Sequence, residues 1–269
     1  MGITSFALDR VLKTPDIGSF SRYLFIGPHP DDIEIGAGAT IARLAAMGKE
    51  ICFLICCDGR YGTENCPNTS PAELVTIRKA EAWRAAETLG VHDVRFLGLC
   101  DGGNYDVKEL KLGMADAIGY FKPDIIFAPD PVVANECHED HLNAGETARR
   151  LAFFAPFKYI MANYMAESAP VKAIAYYMTA KPNAFVKISR SDLERQFASI
   201  FSCHSSQFPA GSGAAKSLKL YLNLRAADFG MRCLSRRAEG FRVLSRTRMH
   251  CLPEDQLRTK AFPSCRELP

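Results

Sequence analysis

The chain has 269 residues, 48% of them hydrophobic, which suits one large domain with a substantial core. No apolar run approaches the roughly 18 residues needed to span a bilayer, so a membrane span is not expected. The net charge of +3 is unevenly placed: residues 1–186 carry 18 Lys and Arg against 23 Asp and Glu, and residues 187–269 carry 15 against 7. No basic-aromatic motif accompanies that charge, which argues against a nucleic-acid partner. The basic C-terminal third reads either as a solvated face or as an attraction for an anionic substrate or acidic surface.

Residues 1–20 read as an N-terminal extension with neither a signal-peptide pattern nor, given Phe6, a myristoylation motif. Tyr23–Gly27 reads as a buried strand. It runs into the turn Pro28-His29-Pro30-Asp31-Asp32, whose two prolines restrict the backbone, and then into a helix over Glu34–Met47. Glu50–Cys57 is a second strand, closed by Asp58-Gly59-Arg60. Ser70 or Thr69 caps a helix over Pro71–Leu89, with Gly90 as its stop. Val94–Leu99 is a third strand, followed by Asp101-Gly102-Gly103, and Val107–Phe121 is a helix ended by Pro123. Asp124–Ala128 is a fourth strand before Pro129-Asp130-Pro131. Cys137-His138-Glu139-Asp140-His141 then opens a helix reaching Phe154.

Beyond residue 155 the pattern loosens. Short strands are expected over Ala173–Met178 and Ala184–Ile188, joined by a turn at Pro182-Asn183. A helix is expected from Ser191, with Glu194 completing a capping box, to Cys203-His204. A mobile stretch over 211–215, a long helix over Ala214–Arg236 and a strand over Glu239–Leu244 follow. From Ser245 a surface-hugging or disordered tail is expected. Strand–helix alternation with short connections predicts a Rossmann-like α/β fold: a mostly parallel sheet with helices on both faces, in three layers. The expected organisation is a single domain with its core over about 22–244. The ten cysteines include no CxxC pair, and several lie in strand-like runs, which suits reduced thiols in a cytoplasmic protein.

Each strand of the first half ends in polar groups: His29, Asp31 and Asp32; Asp58 and Arg60; Asp101; and Asp130, followed by His138, Asp140 and His141. In a parallel sheet these ends converge on one edge, where open α/β folds bind ligands. Three histidines with several carboxylates make a candidate metal site. His29 and Asp32 supply two ligands from one turn, a histidine of the 138–141 segment supplies a third, and Asp31 is placed to act as general base. Gly36 and Gly38 hint at a dinucleotide fingerprint, but Ile41 stands where its third glycine would be. Close helix–sheet packing explains the two glycines better.

PHPDDIEIGAGAT at 28–40, together with HEDH at 138–141, resembles the LmbE-like or PIG-L family of zinc-dependent N-acetylglucosamine deacetylases. The likeness continues through Asp58-Gly59, Arg78-Lys79-Ala80-Glu81-Ala82, Leu97-Gly98-Leu99 with Asp101-Gly102, Ser205-Ser206-Gln207-Phe208 and Ala238-Glu239-Gly240-Phe241. Within the family the chain is most similar to the bacterial branch acting on GlcNAc conjugates such as the bacillithiol precursor. Glu34 stands one place later than in the commonest form of the motif, and Glu139 replaces a frequent proline; neither departure removes a ligand.

The resemblance implies His29, Asp32 and His141 as ligands of one Zn²⁺ per chain, Fe²⁺ or another divalent ion being compatible. It implies Asp31 as general base and a protonated His138 that stabilises the tetrahedral intermediate or protonates the leaving amine. Asp140 would orient one of the histidines, and Arg78, Asp101 and His204 would lie on the substrate side. The implied partner is a small N-acetylated sugar conjugate, anionic if the basic third faces the cleft, and a homo-oligomer is compatible with this. Three readings stay open beside it: a two-His, one-carboxylate iron oxygenase, a zinc amidohydrolase of a non-sugar N-acyl substrate, and a non-catalytic sugar-binding homologue.

Overall fold

The computed structural model describes residues 11–250. Its seven-stranded sheet has the order β3-β2-β1-β4-β5-β7-β6. The strands are β1 (Arg22–Gly27), β2 (Glu50–Cys57), β3 (Asp93–Leu99), β4 (Ile125–Pro129), β5 (Ala173–Tyr177), β6 (Ala184–Lys187) and β7 (Ala238–Ser245). The first five run parallel, while β7 is antiparallel to both β5 and β6. Chain order reverses direction between β1 and β4, so the crevice beyond their carboxyl ends is the topological switch point.

Period-two alternation sends the side chains of the central strands into two cores. Tyr23 and Phe25 of β1 with Phe127 of β4 pack beneath α1 (Asp32–Ala46) and α2 (Pro71–Leu89). Leu24, Ile26 and Ile126 point the other way, beneath α3 (Val107–Phe121) and α4 (Glu139–Phe154). Burial on both faces is why these strands are continuous apolar runs rather than alternating ones. Gly36 of α1 lies against the Tyr177 ring, where a Cβ would come within 2.2 Å, so the expected close helix–sheet packing is present.

Local signals placed most boundaries of the first half. Ser70 accepts from Glu73 N, Gly90 closes α2 in the left-handed region, and Lys122 does the same for α3 before Pro123. After α5 (Lys158–Ala162) the structure departs from expectation. The capping box of α6 (Arg190–Phe201) is Ser189 with Asp192, two residues earlier than expected, because Ser189 rather than Ser191 holds extended backbone. The helix ends at Phe201, which leaves His204 in the following turn. Ser212 caps α7 (Gly213–Arg232), so most of 211–215 is helix.

β5 and β6 are not neighbours: β7 lies between them. The Asn183 side chain donates to Val243 O at 3.0 Å and accepts from Val243 N at 2.7 Å, pinning the 182–183 turn beside β7. β7 also runs through Ser245, followed by a 3₁₀ turn at Thr247–Met249, so the expected tail does not begin at 245. Residues 251–269, where the rest of that tail falls, lie outside the described residues. Among the described residues no helix is long and apolar enough to cross a membrane, and eight cysteines are free thiols.

Candidate metal centre and active site

The turn after β1 is locked by its own side chains. Asp32 Oδ2 accepts from His29 N at 2.8 Å, and Asp31 is left at φ 129°, ψ −26°. A non-glycine residue in that region costs on the order of 1–3 kcal/mol and persists only where its surroundings impose it. Here they do. Asp31 O accepts from Ile35 N at 3.0 Å to start α1, and Arg78 of α2 grips the turn from behind.

His29 Nδ1 lies 3.2 Å from Asp32 Oδ2, and His141 Nε2, from the first turn of α4, lies 3.3 Å from the same oxygen. The other ring nitrogen of His29, Nε2, lies 2.9 Å from Asp140 Oδ2. Asp140 is in turn held by Gly102 N and Gly103 N at 2.7 and 2.8 Å. When Nε2 donates to Asp140, Nδ1 presents a lone pair to Asp32. Two imidazoles and a carboxylate facing one another at this range are drawn together by a shared cation, a proton or a metal ion. The donor atoms of His29, Asp32 and His141 all lie within 4.8 Å of one another, so this group can hold a metal ion. His29, His138 and Asp140 form a second such group. Its carboxylate, however, is already engaged by two backbone N–H groups and by His29, and His138 Nδ1 is 3.8 Å from it.

The electrostatics follow these contacts. Burial works against an imidazolium at His29, but Asp140 and Asp32 more than offset it and push its pKa up to about 10. Burial alone would raise Asp32, yet His141 and His29 hold it well below the usual carboxylate range. Burial likewise opposes ionisation of Asp140, and His29 with the two glycine N–H groups brings it to about 2. Asp31 moves the other way: burial raises it, Arg78 draws it partly back, and Asp32 adds to the rise. Burial and the two neighbouring imidazoles lower the His138 pKa, against the pull of Asp140 and Asp32.

The structure thus brings together His29, Asp31, Asp32, His138, Asp140 and His141. Asp101 adjoins them through the Gly102-Gly103 turn. Its Oδ2 accepts from Tyr61 N at 3.1 Å, and its buried Oδ1 has no hydrogen-bond donor among the described residues. His204 does not line the cleft. It is wholly buried (0% exposed) behind α1, with Nε2 3.4 Å from Glu34, because the early end of α6 turns it inward. Asp58 is taken up by Arg60 at 3.0 Å, and Asp130 by Arg242 and Thr179 at 2.6 Å each, so neither joins the cluster. Glu136 escapes sequence reasoning altogether. Its Oε1 accepts from His138 N at 2.9 Å and its Oε2 lies 3.4 Å from His141 Nδ1, yet it stands in a loop with no periodic signal. The paired glycines at 102–103 do signal a turn, but not that their N–H groups would serve Asp140.

A diacetylchitobiose deacetylase of Thermococcus kodakarensis is 32% identical over 249 residues, 91% of this chain and 91% of that one. The PIG-L family model, described as GlcNAc-PI de-N-acetylase, matches residues 24–152. The chain belongs to the PIG-L family. The structure of N,N'-diacetylchitobiose deacetylase from Pyrococcus horikoshii superposes with a TM-score of 0.84 at 29% identity, covering 96% of this chain and 98% of that one. Over a shorter stretch, a 1D-myo-inositol 2-acetamido-2-deoxy-alpha-D-glucopyranoside deacetylase of Kineococcus radiotolerans is 38% identical across 116 residues, 41% of this chain and 32% of that one. In this PIG-L protein both motifs that carry the family resemblance fall at the switch point.

Proposed function

We propose that this PIG-L protein is a zinc-dependent hydrolase that removes the acetyl group from N-acetylglucosamine-containing molecules. The observation that carries the reading is the convergence of His29, Asp32 and His141 on one point beside a buried carboxylate, Asp31. His29, Asp32 and His141 would hold the metal, with Asp140 fixing the tautomer of His29 from its far side. When bound, a divalent metal lowers the pKa of its water and polarises the acetyl carbonyl. Asp31, raised towards neutrality, takes a proton from the attacking water and returns it to the leaving amine. His138, the half-exposed imidazole of the three, donates a hydrogen bond in its protonated form to the oxygen of the tetrahedral intermediate. Asp101 Oδ1 is offered to a sugar hydroxyl.

The end-to-end likeness to diacetylchitobiose deacetylases favours a substrate of one or two sugar units. A single catalytic domain in a cytoplasmic, reducing setting is part of the same proposal, supported by thiols such as Cys56, whose pKa burial raises.

The test is acetate and amine release from N-acetylglucosamine, N,N'-diacetylchitobiose and a GlcNAc–inositol conjugate, alongside metal content. A non-sugar N-acetyl amine serves as the control. About one zinc per chain and one-for-one release from at least one GlcNAc compound are expected. A metal-loaded protein that leaves every GlcNAc compound intact, or that prefers the non-sugar amide, would overturn the reading.

A further inference from the structure

Glu136 stands in the loop between β4 and α4, where its own N–H donates to Val133 O at 3.0 Å. Its carboxylate reaches forward over the first turn of α4. Oε1 accepts from His138 N at 2.9 Å, the N–H that opens the helix, and Oε2 lies 3.4 Å from His141 Nδ1. One carboxylate thus spans both histidines of the 138–141 segment.

His141 presents its other nitrogen, Nε2, to Asp32 Oδ2 at 3.3 Å. A neutral ring that offers a lone pair there carries its proton on Nδ1. Nδ1 is buried and has no full hydrogen bond among the described residues, and a buried donor needs an acceptor. The neighbouring carboxylates are committed elsewhere. Asp140 is held by His29 and by the N–H groups of Gly102 and Gly103. Glu139 Oε2 fills the place where a Cβ on Gly103 would stand. The acceptor beside Nδ1 is Glu136 Oε2, slightly beyond full hydrogen-bond range.

We infer that Glu136 is a positioning residue for His141: it accepts from Nδ1–H, fixes the tautomer and direction of the ring, and so raises the affinity of the centre for its metal. The inference rests on the proposed reading of His141 as a metal ligand. It gives that histidine what Asp140 gives His29, from a residue outside both motifs. Both of its oxygens are used at once, so glutamine, with one acceptor and one donor, can serve only one of the two N–H groups.

The experiment measures zinc affinity by chelator competition for wild type, Glu136→Ala, Glu136→Gln and His141→Ala. It also records the imidazole N–H signals of zinc-loaded wild type and Glu136→Ala by NMR with isotope-labelled histidine. Neither measurement depends on turnover. Glu136→Ala should bind zinc about 10- to 100-fold more weakly. Glu136→Gln should lose less, because a neutral oxygen accepts more weakly than a carboxylate but still accepts. The Nδ1–H signal of His141 should be present in wild type and lost to exchange with water in Glu136→Ala, a change that a merely structural loop contact would not produce. Unchanged zinc affinity in Glu136→Ala, or an Nδ1–H signal that survives there, would overturn the inference while weak binding by His141→Ala still upholds the ligand. Wild-type affinity in His141→Ala would remove the ligand reading itself, and this inference with it. If Glu136→Ala does not fold, Glu136→Gln decides: zinc affinity equal to wild type overturns the inference.

Discussion

At the scale of single residues, Asp31 and Asp32 are neighbours of the same chemistry with opposite surroundings. Asp32 Oδ2 faces two imidazoles and a backbone N–H, while Asp31 faces Arg78. Asp32→Asn should therefore lose metal affinity and recover part of its activity in excess zinc. Asp31→Asn should keep zinc while kcat falls by about 10²–10⁴, the usual worth of a general base. Zinc content and steady-state rates on the two purified variants check this, and zinc lost from Asp31→Asn but kept by an inactive Asp32→Asn would exchange the roles. Asp140 gives a third, independent case. It touches His29 through Nε2, on the side away from Asp32, so Asp140→Asn should weaken zinc binding about 10- to 100-fold without abolishing it. Competition with a chelator reads this directly.

At the scale of elements, α1 carries the site and is itself anchored by side chains from elsewhere. Glu239 of β7 accepts from Thr40 N at 2.6 Å and from Ala39 N at 3.3 Å. Gln196 of α6 donates to Glu34 O at 2.9 Å and to Glu239 at 3.1 Å. Burial raises the Glu239 pKa from 4.5 to about 7, against the pull of these donors. Between those two values the folded chain holds a proton that the unfolded chain has released. The stability this contributes is present below about pH 4.5 and is lost as pH rises through about 7. Denaturation midpoints should show wild type losing ground to Glu239→Gln across that interval. A constant difference between the two proteins from pH 4.5 to 7.5 would show that Glu239 does not titrate there. Gly36→Ala attacks the same helix sterically, since its Cβ would enter the Tyr177 ring on β5.

At the scale of the whole molecule, the switch point is stiffened by an aromatic stack under it. Phe127 lies 4.3 Å from Phe25 and 5.2 Å from Phe241, ring centre to ring centre, joining β4, β1 and β7. Phe127→Ala should cost about 3–5 kcal/mol in chemical denaturation. Part of the basic C-terminal third, among the described residues, is turned to structural use. Arg242 pairs with buried Asp130, Arg195 donates to Thr88 O, Arg225 to Thr179 O and Arg246 to Phe153 O. These arginines tie neighbouring elements and loops together, which gives part of the local positive charge a structural use.

Much of this protein was determined by sequence alone, where the physics is local. Proline-restricted turns, Ser70 and Gly90 as caps, and apolar runs that must be buried on both faces set the first five parallel elements. The PHPDD and HEDH segments named six residues that do meet at one strand edge. What only the tertiary structure decided depends on groups distant in sequence and on side-chain direction. β7 reaches its place between β5 and β6 through the Asn183 contacts with Val243, across some sixty residues. Arg78 faces Asp31 because Gly59 and Gly62 clear the space, and His204 faces inward because α6 ends at Phe201. Asp140 serves His29, and Asp130 turns to Arg242 instead of joining the metal cluster. A residue type in a motif says which chemistry is available, but which of several nearby partners receives it is settled only when packing fixes the distance between them.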